Sequence, residues 1–228
     1  MPITTCIFDA YGTLFDVAAA ARQVADEPGN EEFSAKWPEI ARTWRDKQLQ
    51  YSWLRAVADA HKDFWQVTQD SLDYTLEAHG FASESLRQRL LDLYWKLKAF
   101  PEVPPMLAAL KDRGMVTGIL SNGSPDMLDA AVESAGIAQW LDVVLSVEDV
   151  GVFKPHRWVY DLVGSHFGSQ PGEVLFVSSN GWDAAHAAGY GFQTVWVNRA
   201  NDPVDRFDWS PDHVMRDLTG IPELAAAR

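Results

Sequence analysis

The strand-forming runs of this chain are unevenly spaced, and that spacing constrains the fold more than any other feature. A short apolar run at 3–8 (ITTCIF) passes into Asp9-Ala-Tyr-Gly-Thr13, the pattern of a buried strand entering a glycine turn. No comparable run follows until 115–120 (MVTGIL), after which 143–147 (VVLSV), 174–178 (VLFVS) and 193–197 (QTVWV) come in close succession. Helical patterns separate these later runs. One helix is expected from about Val103 to Arg113, stopped by Gly114, and another opens at Ser124-Pro125 and stops at Gly136. Strand and helix in steady alternation predict the α/β class. The expected core is a Rossmann-like parallel sheet with helices on both faces and a ligand site at the carboxyl ends of its strands.

Residues 17–98 break the alternation and read as three or more helices. Trp37, Ile40, Ala41, Trp44, Tyr51, Leu54 and Ala58 fall near a 3.6-residue period, as do Leu72 and Leu76, then Leu86, Leu90, Leu93, Tyr94 and Leu97. The expected organisation is therefore a core of 1–16 and 99–228 with a helical cap, 17–98, inserted after the first strand, where it can close over the strand ends and shed water. Asn201 to Pro211 is Asp- and Pro-rich and reads as a loop before a short final helix.

Composition narrows the partners. The net charge of −13 opposes nucleic acid or an anionic membrane as a general partner, since both need a basic face. Cys6 is the sole cysteine, which rules out an intramolecular disulfide and a cysteine zinc site. The start, MPITTCIFDA, has neither a basic n-region nor a signal-length apolar stretch, and the expectation is a cytoplasmic, unprocessed chain. The six histidines include no pair at i, i+4, and no G-x-S-x-G elbow, phosphate loop or dinucleotide fingerprint occurs.

Four segments stand at expected strand ends: Asp9 to Thr13, Ser121-Asn122-Gly123, Lys154-Pro155, and Ser178-Ser179-Asn180-Gly181-Trp182-Asp183. Each alone has a plain structural reading: a turn-forming Asp, turn chemistry at Ser121-Asn122, a solvated Lys154, and Asp183 complementing a helix dipole. Their order and spacing together say more. The chain resembles the haloacid dehalogenase superfamily and, within it, the L-2-haloacid dehalogenases, over nearly its whole length. The likeness is carried by DAYGTLFD (9–16), WRDKQLQYSWLR (44–55), LSNGSP (120–125), VFKPHRWVY (152–160) and FVSSNGWDA (176–184).

The branch is also a matter of chemistry. Phosphatases of that superfamily use an Asp two residues after the nucleophile as general acid and base, and hold Mg²⁺ with acids on the last strand end. Here those places are Tyr11 and an SSNGWD turn that supplies only Asp183. Halide leaves without a proton, so displacement at a halogen-bearing carbon needs neither device, and no metal or other cofactor is expected. The resemblance implies that Asp9 attacks C2 of a 2-haloacid in line, and that water then hydrolyses the aspartyl ester at its own carbonyl, with net inversion at C2. It further implies that Thr13, Ser178 and Asp183 orient Asp9, Lys154 and the water, with Asn180 and Tyr160 completing the catalytic set. Ser121 and Lys154 would hold the substrate carboxylate, and Arg45, Asn122 and Trp182 would face the halide. Tyr11, Leu49, Phe64 and Trp182 would wall C2 and its substituent.

Arg45, Leu49 and Trp53 repeat at i, i+4 and i+8, which without the resemblance reads as a salt-bridged surface face. Asp46 replaces a neutral Gln of the family and could tie Arg45 down or point to solvent. His186, one turn after Trp182, reads as part of a polar helix face, with assistance to the hydrolytic water as the other possibility. The partners implied are a small 2-haloacid and water, no nucleic acid or membrane, and a second copy in a homodimer. A phosphate-ester hydrolase on the same scaffold, or a non-catalytic acid-binding relative, are the alternatives.

Overall fold

The computed structural model describes residues 1–81 and 83–227. Six parallel strands form one sheet: β1 (Thr5–Phe8), β2 (Val116–Ser121), β3 (Val143–Ser146), β4 (Val174–Ser178), β5 (Gln193–Val197) and β6 (His213–Met215), in the order β3-β2-β1-β4-β5-β6. β1 and β4 are buried at every residue, which is why their sequences are continuous apolar runs without alternation. Phe8 lies opposite both Ile119 of β2 and Val177 of β4. This register brings the ends of the three central strands level, so Asp9, Ser121 and Ser178 emerge side by side.

Four helices fill the interval after β1: α1 (Ala19–Ala25), α2 (Glu31–Val57), α3 (Phe64–His79) and α4 (Glu84–Tyr94). They form the inserted helical cap. The remaining helices, α5 (Val103–Asp112), α6 (Pro125–Ala135), α7 (Arg157–Phe167), α8 (Gly181–Tyr190) and α9 (Ile221–Ala226), connect or follow the strands. Gly136 ends α6 in the left-handed region, as the sequence predicts. The two crossings between sheet and cap run beside each other: Phe100 N–H donates to Leu14 O at 2.9 Å and Asp16 N–H to Lys98 O at 3.1 Å. None of the described helices is long and apolar enough to cross a membrane.

One expectation needs correction. The apolar stripe of α2 does not persist to Ala58: Leu54 is 59% exposed, Ala58 is exposed too, and the buried face runs instead through Ile40, Trp44, Gln48 and Ser52. The helix outlasts the surface it packs against. Polar side chains also occupy the buried face of α3, where Thr68 and Thr75 donate to carbonyls one turn back at 2.7 Å, and Ser71 donates to Thr68 O at 3.0 Å. Satisfying their hydroxyls within the helix lets them be buried, and hides that face from a hydrophobic pattern. Between the Asn201–Pro211 loop and the last helix the chain also forms β6, an edge strand of three residues with Val214 exposed, too short to show a period.

Candidate active site

The chain leaves β1 at Asp9 and turns at Gly12, whose φ of +88° and whose would-be Cβ, 3.0 Å from Ser179 Oγ, both favour glycine. That turn carries Thr13 back, so its Oγ1 lies 3.0 Å from Asp9 Oδ2. From the end of β4, Asn180 Nδ2 donates to the same oxygen at 3.0 Å. Lys154 Nζ reaches Oδ1 at 3.2 Å and Asp183 Oδ2 at 2.8 Å. Asp183 Oδ1 accepts from the Tyr160 hydroxyl at 2.8 Å. Asp9 is thus a carboxylate fixed by three side-chain donors and only 6% exposed.

Burial alone would lower the Lys154 pKa, but the facing charges of Asp183 and then Asp9 outweigh it, and the ammonium is held above its ordinary value. Burial holds the Asp183 carboxyl above its usual range, opposed by Lys154. Burial likewise raises the Tyr11 and Tyr160 hydroxyls well above theirs, so neither phenol supplies an anion near neutrality.

On the neighbouring strand end, Ser121 Oγ accepts from Gly123 N–H at 3.0 Å, which leaves its own O–H to donate. Asn122 Oδ1 accepts from Lys154 N–H at 3.0 Å, leaving the Asn122 amide group to donate. The cap contributes Arg45, whose Nη2 lies 3.4 Å from Tyr11 O and 3.3 Å from Asn180 Oδ1. Its Nη1 donates to Gln48 Oε1 at 3.0 Å.

Ten of the residues singled out in the sequence line one cavity: Asp9, Tyr11, Arg45, Leu49, Phe64, Ser121, Asn122, Lys154, Asn180 and Trp182. Its volume of about 10 Å³ suits a single water. The other four stand behind this wall. Thr13 holds Asp9, Asp183 holds Lys154, Tyr160 holds Asp183, and Ser178 Oγ accepts from Asn180 N–H at 3.1 Å. Ser178 therefore touches Asn180 rather than Asp9.

Sequence reasoning missed Ser179 and the support of Arg45. Ser179 N–H donates to Thr13 Oγ1 at 2.7 Å, closing the loop around Asp9. Gln48, 1% exposed, holds Arg45 with its oxygen and donates to Thr68 Oγ1 at 2.8 Å and Tyr94 Oη at 3.2 Å with its nitrogen. The available signal was position: Gln48 is one helical turn beyond Arg45 and one beyond buried Trp44. Asp46 is exposed, and none of the three hydrogen bonds of Arg45 involves it. His186 does not line the cavity; its Nδ1–H donates to Trp182 O at 2.7 Å.

Comparison with known proteins bears on the family and the fold. The family model of haloacid dehalogenase-like hydrolases matches residues 3–191. The chain belongs to that family. It is 40% identical over 225 residues to an (S)-2-haloacid dehalogenase of Pseudomonas sp. strain CBS-3, covering 98% of this chain and 96% of the relative. A solved dehalogenase matches with a TM-score of 0.93 at 36% identity, covering 98% and 97% of the two chains. The L-2-haloacid dehalogenase of Xanthobacter autotrophicus with chloropropionic acid covalently bound matches with a TM-score of 0.85 at 37% identity, over 97% and 98%.

Within this hydrolase the donor set does not fit Mg²⁺. The two carboxylates that could share an ion, Asp9 and Asp183, already share the Lys154 ammonium, so a divalent cation would have to displace a buried lysine. Among the described residues there is no group of three or more His, Cys, Asp or Glu placed to hold a metal.

Proposed function

We propose that this haloacid dehalogenase-like hydrolase is an (S)-2-haloacid dehalogenase that acts through a covalent ester on Asp9. One observation carries the reading: a carboxylate held by Thr13, Asn180 and Lys154 faces a cavity with cationic and neutral donors, and that cavity contains no second acid. Such a carboxylate is immobilised for attack rather than for proton transfer, and the relatives named above match this chain over nearly its full length.

In this account the substrate carboxylate takes the Ser121 hydroxyl and the Lys154 ammonium. An Asp9 oxygen forms a bond to C2 as the carbon–halogen bond breaks, and the halide departs with its electron pair toward Arg45, Asn122 and the Trp182 ring. Donors aimed at that developing charge lower the barrier. Water then adds to the Asp9 side-chain carbonyl, the C2–oxygen bond stays intact, and the alcohol leaves as a 2-hydroxyacid. The proton released has the buried Asp183 as an acceptor, reached through Lys154. Tyr11, Leu49 and Phe64 exclude solvent around C2. No metal ion or other cofactor takes part.

The proposal also assigns 1–16 and 99–228 to the catalytic core and 17–98 to the cap, supported by the paired crossings near Leu14 and Phe100. It places the enzyme in the cytoplasm, supported by the single reduced and buried Cys6. A homodimer is supported by the exposed Leu54 of α2 and Tyr74 of α3. The test is halide release from each enantiomer of 2-chloropropionate, run beside hydrolysis of a phosphate ester with Mg²⁺. Release from the L-enantiomer alone, yielding D-lactate and unaffected by EDTA, is expected. Phosphate release with no halide would overturn the reading.

A further inference from the structure

The turn that holds Asp9 is also where the chain leaves for the cap. Thr13, fully buried, donates to Asp9 Oδ2, and Leu14 beside it accepts from Phe100 N–H where the chain returns. Phe15 and Ala99 pair there as an isolated antiparallel bridge. The catalytic cavity holds about one water, so its walls must part to admit a haloacid. Arg45, Leu49 and Phe64 of those walls belong to the cap, which the chain joins to the core through these two crossings. Cap motion therefore loads the residues next to Thr13, whose hydroxyl must stay in place for Asp9 to be aimed.

Arg199, two residues past β5, sits at this junction. Its Nη2 donates to Thr13 O at 3.1 Å, its Nη1 donates to Glu102 Oε1 at 2.7 Å, and its guanidinium carbon lies 3.7 Å from the centre of the Phe100 ring. One planar group thus touches the outgoing chain at Thr13 and the returning chain at Phe100 and Glu102. Its own backbone is set by a closed turn, in which Asn198 Nδ2 donates to Asp202 O at 2.8 Å and Asp202 N–H to Asn198 Oδ1 at 2.9 Å. Arg199 Nε–H is buried with no acceptor among the described residues. That orphan donor carries a cost that a solvent-facing arginine would avoid, and the three contacts offset it.

We propose that Arg199 is a positioning residue for the displacement step: it braces Thr13, and through Thr13 the Asp9 carboxylate, against the returning crossing. The proposal rests on the dehalogenase reading. With the guanidinium in place, Thr13 O and Phe100 are tied to one rigid group, so the cap can move without turning the Thr13 hydroxyl away from Asp9 Oδ2. Without it a buried carbonyl loses a donor, the turn loosens, and the nucleophile leaves its in-line orientation. Ser121 and Lys154, which hold the substrate carboxylate, keep their own partners, so substrate binding is spared.

The test measures kcat and KM for L-2-chloropropionate in wild type, Arg199→Met and Arg199→Ala, with circular dichroism to verify folding. Arg113→Met is the control, since it removes an ion pair of the same 2.7 Å length that joins the end of α5 to α9. The Arg199→Ala assay is repeated with guanidinium sulfate and with sodium sulfate, which add no halide. Both Arg199 variants should lose about tenfold or more in kcat with KM within about threefold, while Arg113→Met stays within about twofold of wild type. Guanidinium should raise the kcat of Arg199→Ala about threefold or more, and sodium sulfate should not. An arginine that merely stabilised the fold would show no such rescue, because guanidinium weakens apolar packing. If neither variant folds, Arg199→Lys carries the test, since an ammonium lacks the planar fork that reaches Thr13 and Glu102 together and should still lose kcat. Folded Arg199 variants within about twofold of wild-type kcat, or a loss that guanidinium leaves unchanged, would overturn the brace and leave the dehalogenase reading standing. Halide release from no form of the protein, wild type included, would remove both.

Discussion

Lys154 Nζ and the Asp183 carboxylate form a 2.8 Å ion pair whose side chains are 1% and 0% exposed. A buried pair of this kind contributes little net stability over an apolar replacement of both partners, yet removing one partner strands the other charge. Here Asp9 shares the same ammonium, so two carboxylates depend on it. Lys154→Met should lose about 3–5 kcal/mol in urea unfolding and all halide release. A loss below about 1 kcal/mol would mean that the pair is not the anchor of the site.

Lysine 154 also fixes the alkaline behaviour. Asp183 and Asp9 raise its folded-state pKa above the unfolded value of about 10.4, so its contribution to stability is complete below that value and is lost only as pH rises through the folded one. The urea midpoint and kcat/KM should show no lysine-linked fall between pH 7 and about pH 10. A fall with a midpoint near 8 or 9 that Lys154→Arg shifts would contradict the arrangement.

Arg45 and Gln48 separate a group that meets the halide from one that positions it. Arg45→Ala should fold normally and lose on the order of 10² to 10³ in kcat. Gln48→Ala leaves Thr68, Tyr94 and the guanidinium short of a partner. It should lose about 1–3 kcal/mol of stability and about tenfold in kcat with little change in KM. Gln48→Glu, which keeps the acceptor for Arg45, should recover kcat better than Gln48→Ala does. Equal kcat in both Gln48 variants would reduce that residue to a packing role.

Cys6 stands three residues before Asp9, and haloacids alkylate thiols. Burial pushes its thiol pKa up to about 12, and it is fully buried in β1. Native enzyme should therefore keep its activity through an iodoacetamide treatment that labels Cys6 fully in urea. Rapid labelling of the folded protein with loss of activity would contradict this placement.

The sheet and the strand-end residues were legible because both depend on local signals. Central strands buried on two faces are continuous apolar runs, and Asp9, Ser121 and Asn180 stand at or just past their ends; Lys154 lies eight residues past β3, in a turn marked by Pro155. The cap's inner surface was less so. Gln48, Ser52, Thr68, Ser71 and Thr75 are buried there, and a hydrophobic period cannot find polar residues whose hydrogen bonds close inside the protein. The end of α2 failed in the opposite sense: Leu54 and Ala58 keep the helical period but have lost the surface that would bury them. Ser179 was invisible for another reason, since its main contact with Thr13 runs through a backbone N–H, which any residue type supplies.

The central claim is that Asp9 is a nucleophile rather than a base that activates water. With enzyme in excess over L-2-chloropropionate in H₂¹⁸O, a single turnover distinguishes the two. Attack by Asp9 places a carboxylate oxygen on C2 and replaces it from solvent during ester hydrolysis, so the first lactate should be mostly unlabelled and the peptide containing Asp9 should carry ¹⁸O. Lactate labelled in its hydroxyl, with no ¹⁸O in that peptide, would contradict the covalent account.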